Sequence, residues 1–217
     1  MKKFLLGAAI LVASIGTASA SPAITNLVQN GSFESNTMNN GSWGFVNLTG
    51  WTSSGDVGNA LGKTELRNNV AGKAFDGNNF VELDGNQNSS ITQALNTAVN
   101  QMYTLSFAYA NRIGTQAATN GIQWSFGGSS GNAPVVNDFG VWHTFSTNVL
   151  ASSTQTNLKF TAIGTSDSYG SSLDKISVSP VPEPEEWAMM MLGLGLIGAK
   201  LSRKNKNEDS FTVQNLA

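Results

Sequence analysis

The sequence predicts an all-β fold, an antiparallel β-sandwich of jelly-roll type, with an N-terminal signal peptide before it and a single C-terminal hydrophobic helix after it. Three observations carry that prediction. Short apolar runs with period-2 alternation recur through the middle of the chain, clusters of Gly, Asn, Asp and Ser separate them, and no amphipathic helical pattern of about ten residues appears between Pro22 and Pro180. Period-2 alternation puts one set of side chains on a buried face and the other toward water. Evenly spaced strands without helical crossovers then close as two sheets packed face to face.

Taken in order, Leu27 to Val28 opens the first strand and Asn30-Gly31-Ser32-Phe33-Glu34 turns the chain. Phe80 to Leu83 is a short strand ending at the Asp84-Gly85 turn, and Ser90 to Leu95 is another. Tyr103 to Tyr109 is the clearest, its large apolar side chains alternating with small or polar ones; Ile122, Trp124 and Phe126 repeat the pattern. Trp142 to Thr147, Asn157 to Ala162 and Leu173 to Val178 complete the set. The polar tracts Asn111 to Gly121 and Gly127 to Asn137 read as long loops at one end, the part of a rigid scaffold where binding concentrates, or as flexible spacers.

The two ends of the 217-residue chain differ in kind from its middle. Lys2 and Lys3 precede the apolar stretch Phe4 to Ile15, and Ala18-Ser19-Ala20 supplies a small-x-small cleavage site before Ser21, so residues 1–20 read as a secretory signal peptide cut between Ala20 and Ser21. Residues 21–180 form one domain. Val181-Pro182-Glu183-Pro184 then enforces an extended approach to the apolar run from Trp187 to Leu201, after which Arg203, Lys204 and Lys206 follow. A spanning helix needs about 20 apolar residues. This run falls slightly short, which predicts transient membrane insertion, with the basic cluster on the cytoplasmic side. Residues 207–217 form a polar tail.

Composition narrows the function classes. The chain has no cysteine, so an exported domain here uses neither disulfides nor thiolate chemistry. Residues 21–180 hold six Lys plus Arg against nine Asp plus Glu, and this mildly acidic balance without a basic stripe argues against nucleic acid as a partner. The single histidine, His143, leaves no histidine pair or zinc cluster to build and reads as a sheet-surface residue. No serine sits in the strand-turn-helix setting of a nucleophile elbow. The expectation is therefore a non-catalytic protein. The alternatives are a surface hydrolase using Glu82 and Asp84, whose side chains share one strand face roughly 7 Å apart, and an adhesin that contacts other proteins through the loop end.

Exposed aromatic rings stack on sugar faces, with polar groups beside them fixing the hydroxyls. Trp43, set between Gly41-Ser42 and Gly44 as if on a turn, is the best candidate for such a ring. Trp124 is a second candidate, although a ring on a strand is more often core, and Trp142 carries the same ambiguity. Arg112, at the end of the Tyr103 strand, supplies a charged polar contact or is an ordinary surface arginine.

The order Pro-Glu-Pro, short apolar helix, basic cluster over residues 181–206 resembles the PEP-CTERM sorting signal of exopolysaccharide-producing Gram-negative bacteria. The resemblance implies export through the inner membrane, processing by an exosortase-type membrane protein, and a final place at the cell surface or in the extracellular matrix. The eleven residues from Asn207 to Ala217 depart from that pattern, which usually stops at the basic cluster. The middle of the chain is similar to the galactose-binding-like jelly roll of several carbohydrate-binding modules. The residues that carry this likeness are Asn30 to Glu34, Gly50-Trp51, Phe80 to Asp84, Tyr103 to Tyr109 and Ser171 to Val178. It implies association with exopolysaccharide, a structural role for Trp51, and a structural Ca²⁺ held by Glu34 and Asp174 with Asp76 and Asn79 of the Phe75 to Asn79 loop. The competing reading of these four is that they cap turns and face water.

Overall fold

The structure is a computed structural model that describes residues 25–55, 58–182 and 189–200. Eleven strands make two antiparallel sheets: β1 (Ser42–Val46), β2 (Thr52–Ser54), β3 (Thr64–Asn68), β4 (Asn79–Glu82), β5 (Ser90–Asn96), β6 (Met102–Ala110), β7 (Ile122–Phe126), β8 (Ser129–Asn132), β9 (His143–Leu150), β10 (Gln155–Ala162) and β11 (Ser172–Pro180). The six-stranded sheet runs β1-β3-β4-β11-β6-β9 and the five-stranded sheet β2-β5-β10-β7-β8. The expected sandwich is present.

Alternation decides which side chains meet between the sheets. On β10, Thr156, Leu158, Phe160 and Ala162 are buried while the residues between them face outward; on β6, Leu105, Phe107 and Tyr109 point the same way. Phe107 of one sheet meets Phe160 of the other edge-on at 5.0 Å, an arrangement aromatic quadrupoles favour. Trp51 closes one flank of this core, its ring against Phe33 and Phe160 and its indole N–H donating to the Asn30 carbonyl.

Residues 30–34 act as a hub. Phe33 is fully buried, at a backbone φ of 60°, and Asn30 (φ 54°) uses its carboxamide to bond Ser35, Asn36 and Thr49. Gly31 lies directly against β11 where that strand bulges between Asp174 and Ser177: the Ile176 N–H donates to the Gly31 carbonyl, and a Cβ on Gly31 would fall 2.1 Å from the Ile176 carbonyl oxygen. Only glycine permits this approach.

Several expectations need correction. Leu27 and Val28 form no strand, although the Leu27 N–H donates to the Val178 carbonyl beside β11. Strands β1, β2 and β3 fill the stretch between the hub and β4, so Trp43 sits on a strand and not on a turn. The tract from Gly127 to Asn137 is not one long loop, because β8 folds back on β7 within it. For β3 the physical reason is tertiary: Thr-Glu-Leu-Arg-Asn is buried on both faces, so its polar side chains find partners inside the protein and leave no apolar alternation to read.

Residues 189–200 are helical, as expected, and expose apolar side chains such as Met189, Met191 and Leu196. Among the described residues no helix is long and apolar enough to cross a membrane. The expected signal peptide with its Ala20-Ser21 junction, Glu183 and Pro184 of the expected sorting motif, and residues 207–217 lie outside the described residues. Val181 and Pro182 are described, and Val181 is fastened to the sandwich through its N–H to the Met102 carbonyl and its own carbonyl to Gln101 Nε2.

Candidate functional site

The core side chains of β3 and β4 are Leu66 and Val81, so Glu65, Arg67 and Glu82 all project from the opposite, outer face of the six-stranded sheet. The register sets Glu65 beside Glu82 and, on the other side, Trp43 of β1 beside Arg67. Two like carboxylates side by side would repel; the guanidinium of Arg67 resolves this by hydrogen-bonding Glu65 and forming an ion pair with Glu82. Arg67 Nε and Nη2 lie 2.7 and 2.6 Å from Glu65 Oε1, and Nη1 lies 2.7 Å from Glu82 Oε2.

Glu82 is fully buried and is held from its other side as well. Arg112 Nη1 donates to Glu82 Oε1 at 2.8 Å, and the Gly170 N–H donates to the same oxygen at 3.0 Å. Gly170 can come this close because it carries no side chain; a Cβ there would stand 2.9 Å from the Asp84 Cβ. Burial pushes the Glu82 carboxyl above the usual carboxylate range, and Arg67 and Arg112 pull it back down. Every group that touches its two oxygens is a donor, so the surroundings are arranged for the carboxylate, and each arginine is needed to hold that charge.

Arg112 in turn lies over the Tyr169 ring, with Cζ 4.3 Å from the centroid, close enough for a cation–π contact. Its backbone N–H is fixed by Asn120 Oδ1. The result is a pocket of about 300 Å³ with Trp43 and Tyr169 at its margins, Arg112 and the Glu65–Arg67 pair in its lining, and Gly85 and Asn86 of the β4–β5 turn at its edge. Trp43 is 55% exposed and Tyr169 48%, so about half of each side chain is open to solvent at the pocket margin.

The structure therefore brings Trp43 and Arg112 to one pocket. Trp124 is elsewhere: it is buried, its ring packs 5.7 Å from Phe145, and Gly131 lies opposite it on β8, where a Cβ would come within 2.9 Å of the ring. It has no face left for a ligand and belongs to the packing alternative. Trp142 also packs, edge-on to Phe80, with its indole N–H donating to the Lys73 carbonyl. Glu65, Arg67 and Tyr169 escaped sequence reasoning. The Glu-x-Arg spacing of β3, which puts both side chains on one face, was the signal for two of them.

Glu34, Asp76, Asn79 and Asp174 do gather around the 75–79 loop, as the jelly-roll resemblance implies. Their oxygens are engaged in another way. Glu34 Oε1 accepts the N–H groups of Asn78 and Asn79, Asp174 Oδ2 accepts those of Phe75 and Asp76, and Asp174 Oδ1 accepts that of Lys175. Asp76 Oδ2 accepts the Ser32 hydroxyl, and Asn79 Nδ2 occupies the carbonyls of Phe33 and Asn36. Calcium takes six to eight oxygens. Here backbone amides take Glu34 Oε1 and both Asp174 oxygens, and among the described residues no three acidic or histidine side chains form a metal-holding group. These contacts staple the loop to β11 and the hub. Burial raises the Asp174 carboxyl to about 7 in spite of its amide donors.

Glu82 and Asp84 are both fully buried, the first between two arginines and the second accepting the Asp167 N–H, so neither faces a sugar-sized opening. His143 starts β9 and pairs with Asp138 at 2.8 Å.

Removing Arg67 leaves Glu82 with half of its compensation and Glu65 with less. Arg67→Ala is expected to cost about 3–5 kcal/mol of unfolding free energy, the usual penalty for stranding a buried charge, measured by urea denaturation. A loss below about 1 kcal/mol would show that the network does not hold the sheet face together.

Several known proteins share this architecture. The Stig cyclase Fisc of Fischerella sp. TAU, solved in complex with (3Z)-3-(1-methyl-2-pyrrolidinylidene)-3H-indole, superposes with a TM-score of 0.57 at 14% identity over 73% of this chain and 98% of its own. TmCBM61, solved in complex with β-1,4-galactotriose, superposes with a TM-score of 0.51 at 14% identity over 72% of this chain and 99% of its own. A family 35 carbohydrate-binding module from Clostridium thermocellum aligns at 16% identity over 63% of this chain and 97% of its own, with a TM-score of 0.42. At such identities the likeness is one of fold. No curated protein matches the chain in sequence. Residues 26–179, nearly the whole sandwich, match the family described as "Protein of unknown function (DUF642)", and the chain belongs to that family.

Proposed function

We propose that this protein is an exported, non-catalytic carbohydrate-binding sandwich that holds a neutral saccharide in the Trp43 pocket. The observation that carries the reading is the pairing of two solvent-facing rings, Trp43 and Tyr169, around a guanidinium whose position is locked by a buried carboxylate. Aromatic faces take the apolar face of a sugar ring, and a pre-positioned donor reads hydroxyls at little entropic cost. The charges support a neutral ligand, since Arg67 and Arg112 are balanced by Glu65 and Glu82. The fold shared with TmCBM61, whose structure contains β-1,4-galactotriose, makes galactan the first polymer to test.

Export and sorting belong to the same proposal. The signal peptide and the Pro-Glu-Pro, helix and basic cluster of residues 181–206 support secretion through the inner membrane of a Gram-negative bacterium, handling by an exosortase-type protein, and retention with exopolysaccharide. The geometry suits a tethered binder. The pocket borders the start of β11 through Ser168 and Tyr169, and the chain leaves the sandwich beyond Pro180 at that strand's other end, roughly 30 Å away at about 3.3 Å per residue. A tail held at a membrane would leave the pocket facing outward.

Affinity electrophoresis in gels containing β-1,4-galactan and other neutral polymers tests the binding. The parent is expected to be retarded, and Trp43→Ala and Tyr169→Ala each to weaken binding about tenfold while leaving thermal stability nearly unchanged. Silence across neutral polymers, or undiminished binding by Trp43→Ala, would overturn the reading. Mass spectrometry of protein recovered from cells and medium tests the sorting. Chains beginning at Ser21 and ending before the basic cluster are expected, and an intact C-terminus in every fraction would contradict processing.

A further inference from the structure

The outer face of the six-stranded sheet carries a second surface that the Trp43 pocket does not use. Trp142 meets Phe80 edge-on and Phe75 at a tilt to form an aromatic ridge across this face, and on its far side a groove of about 430 Å³ runs over β11, β6 and β9. Its floor is set by register. Ser177 pairs with Ser106 and Ser106 with Ser146, so three serines form one row across three strands, and Ala108 with Thr144 forms the next. Neighbouring strands stand about 4.8 Å apart, which spaces the hydroxyls along the row by roughly that distance.

Such a row of small polar side chains on a sheet face is ordinary when they bond one another or merely face water. Two features distinguish this one. The hydroxyls of Ser106, Thr144 and Ser146 make no hydrogen bond to any described residue, whereas Thr104 and Asn148 in the adjoining row bond each other at 3.1 Å. The β11 bulge also places Lys175 at a φ of 46°, and its ammonium lies 5.5 Å from the centroid of the half-exposed Phe75 ring at the groove's wall. Lys175 forms no ion pair with any described residue. The nearest carboxylate in sequence, Asp174, is fully buried and turned to the amides of Phe75, Asp76 and Lys175, and no acidic side chain lines the groove.

We propose that this groove is a second glycan-binding surface, and that it takes a linear acidic polysaccharide: the serine row and Thr144 meet sugar hydroxyls, Phe75 meets a ring face, and Lys175 meets a uronate carboxylate. Charge separates it from the Trp43 pocket. There the two arginines are neutralised internally; here the cation is unspent. The groove stands on its own residues, so its failure and that of the pocket are separable.

Retardation of the full-length protein in gels containing alginate, a linear polyuronate, against gels containing neutral β-1,4-galactan provides the test. Lys175→Asn removes the charge while keeping a residue that tolerates the left-handed backbone, and Ser146→Glu sets a carboxylate in the groove from an exposed strand position. Each is expected to weaken alginate binding by about threefold or more, to leave galactan binding unchanged, and to keep the parent's melting temperature. Added salt is expected to weaken alginate binding selectively. No alginate binding by the parent, alginate binding indifferent to both substitutions, or alginate binding lost in Trp43→Ala but kept in Lys175→Asn would overturn the proposal.

Discussion

The buried carboxylate of Glu82 is the constraint on which the functional end of this sandwich depends. It lies on the outer face of β4, beside β3, and takes donors from three directions: Arg67 on the neighbouring strand, Arg112 at the end of β6, and the Gly170 amide in the connection entering β11. These segments are far apart in sequence. A charge removed from water must be met by donors, and meeting it draws the three together.

The cost of that arrangement bears on its purpose. Apolar side chains in the same place would often be as stable as an ion network or more so, which makes the network weak evidence for stability as such. What it provides is position. Arg112, fixed between Glu82 and Tyr169, cannot wander as a surface arginine would, and Tyr169 is held under it. The carboxylates of Glu34 and Asp174 do a related job with backbone amides, tying the 75–79 loop to the hub and to β11. One sheet face thus receives two differently charged surfaces, with the Trp142 ridge between them.

Most of the sandwich was legible because β5, β6, β7, β10 and β11 alternate, and alternation records a one-sided core. β3 was invisible for the opposite reason. Its Glu65 and Arg67 pair along the strand, as their spacing allows, but nothing in Thr-Glu-Leu-Arg-Asn announces that Glu82 of β4 will meet Arg67 and bury the pair. Trp43 and Arg112 could be singled out by their local setting, but not their meeting, since that depends on the register of β1 with β3 and on Glu82 reaching both arginines. The likeness to galactose-binding jelly rolls placed Glu34, Asp76, Asn79 and Asp174 in one ligand set, and in the structure they lie around the 75–79 loop. Their use as amide acceptors depends on the direction of backbone N–H groups, which side-chain identity does not encode. Trp124 shows the limit from the other side: a strand tryptophan reads alike whether it faces the core or solvent until Gly131 is seen beneath it.

The most direct measurement follows the indole N–H resonances of Trp43, Trp51, Trp124 and Trp142 by NMR as β-1,4-galactotriose is added. Trp51 and Trp142 donate to backbone carbonyls and Trp124 is enclosed in the core, whereas Trp43 is exposed at the pocket. A saturable shift of the Trp43 resonance with the other three unmoved is the predicted result. A shift at Trp142 with Trp43 unmoved would contradict the account, as would no shift at any of the four.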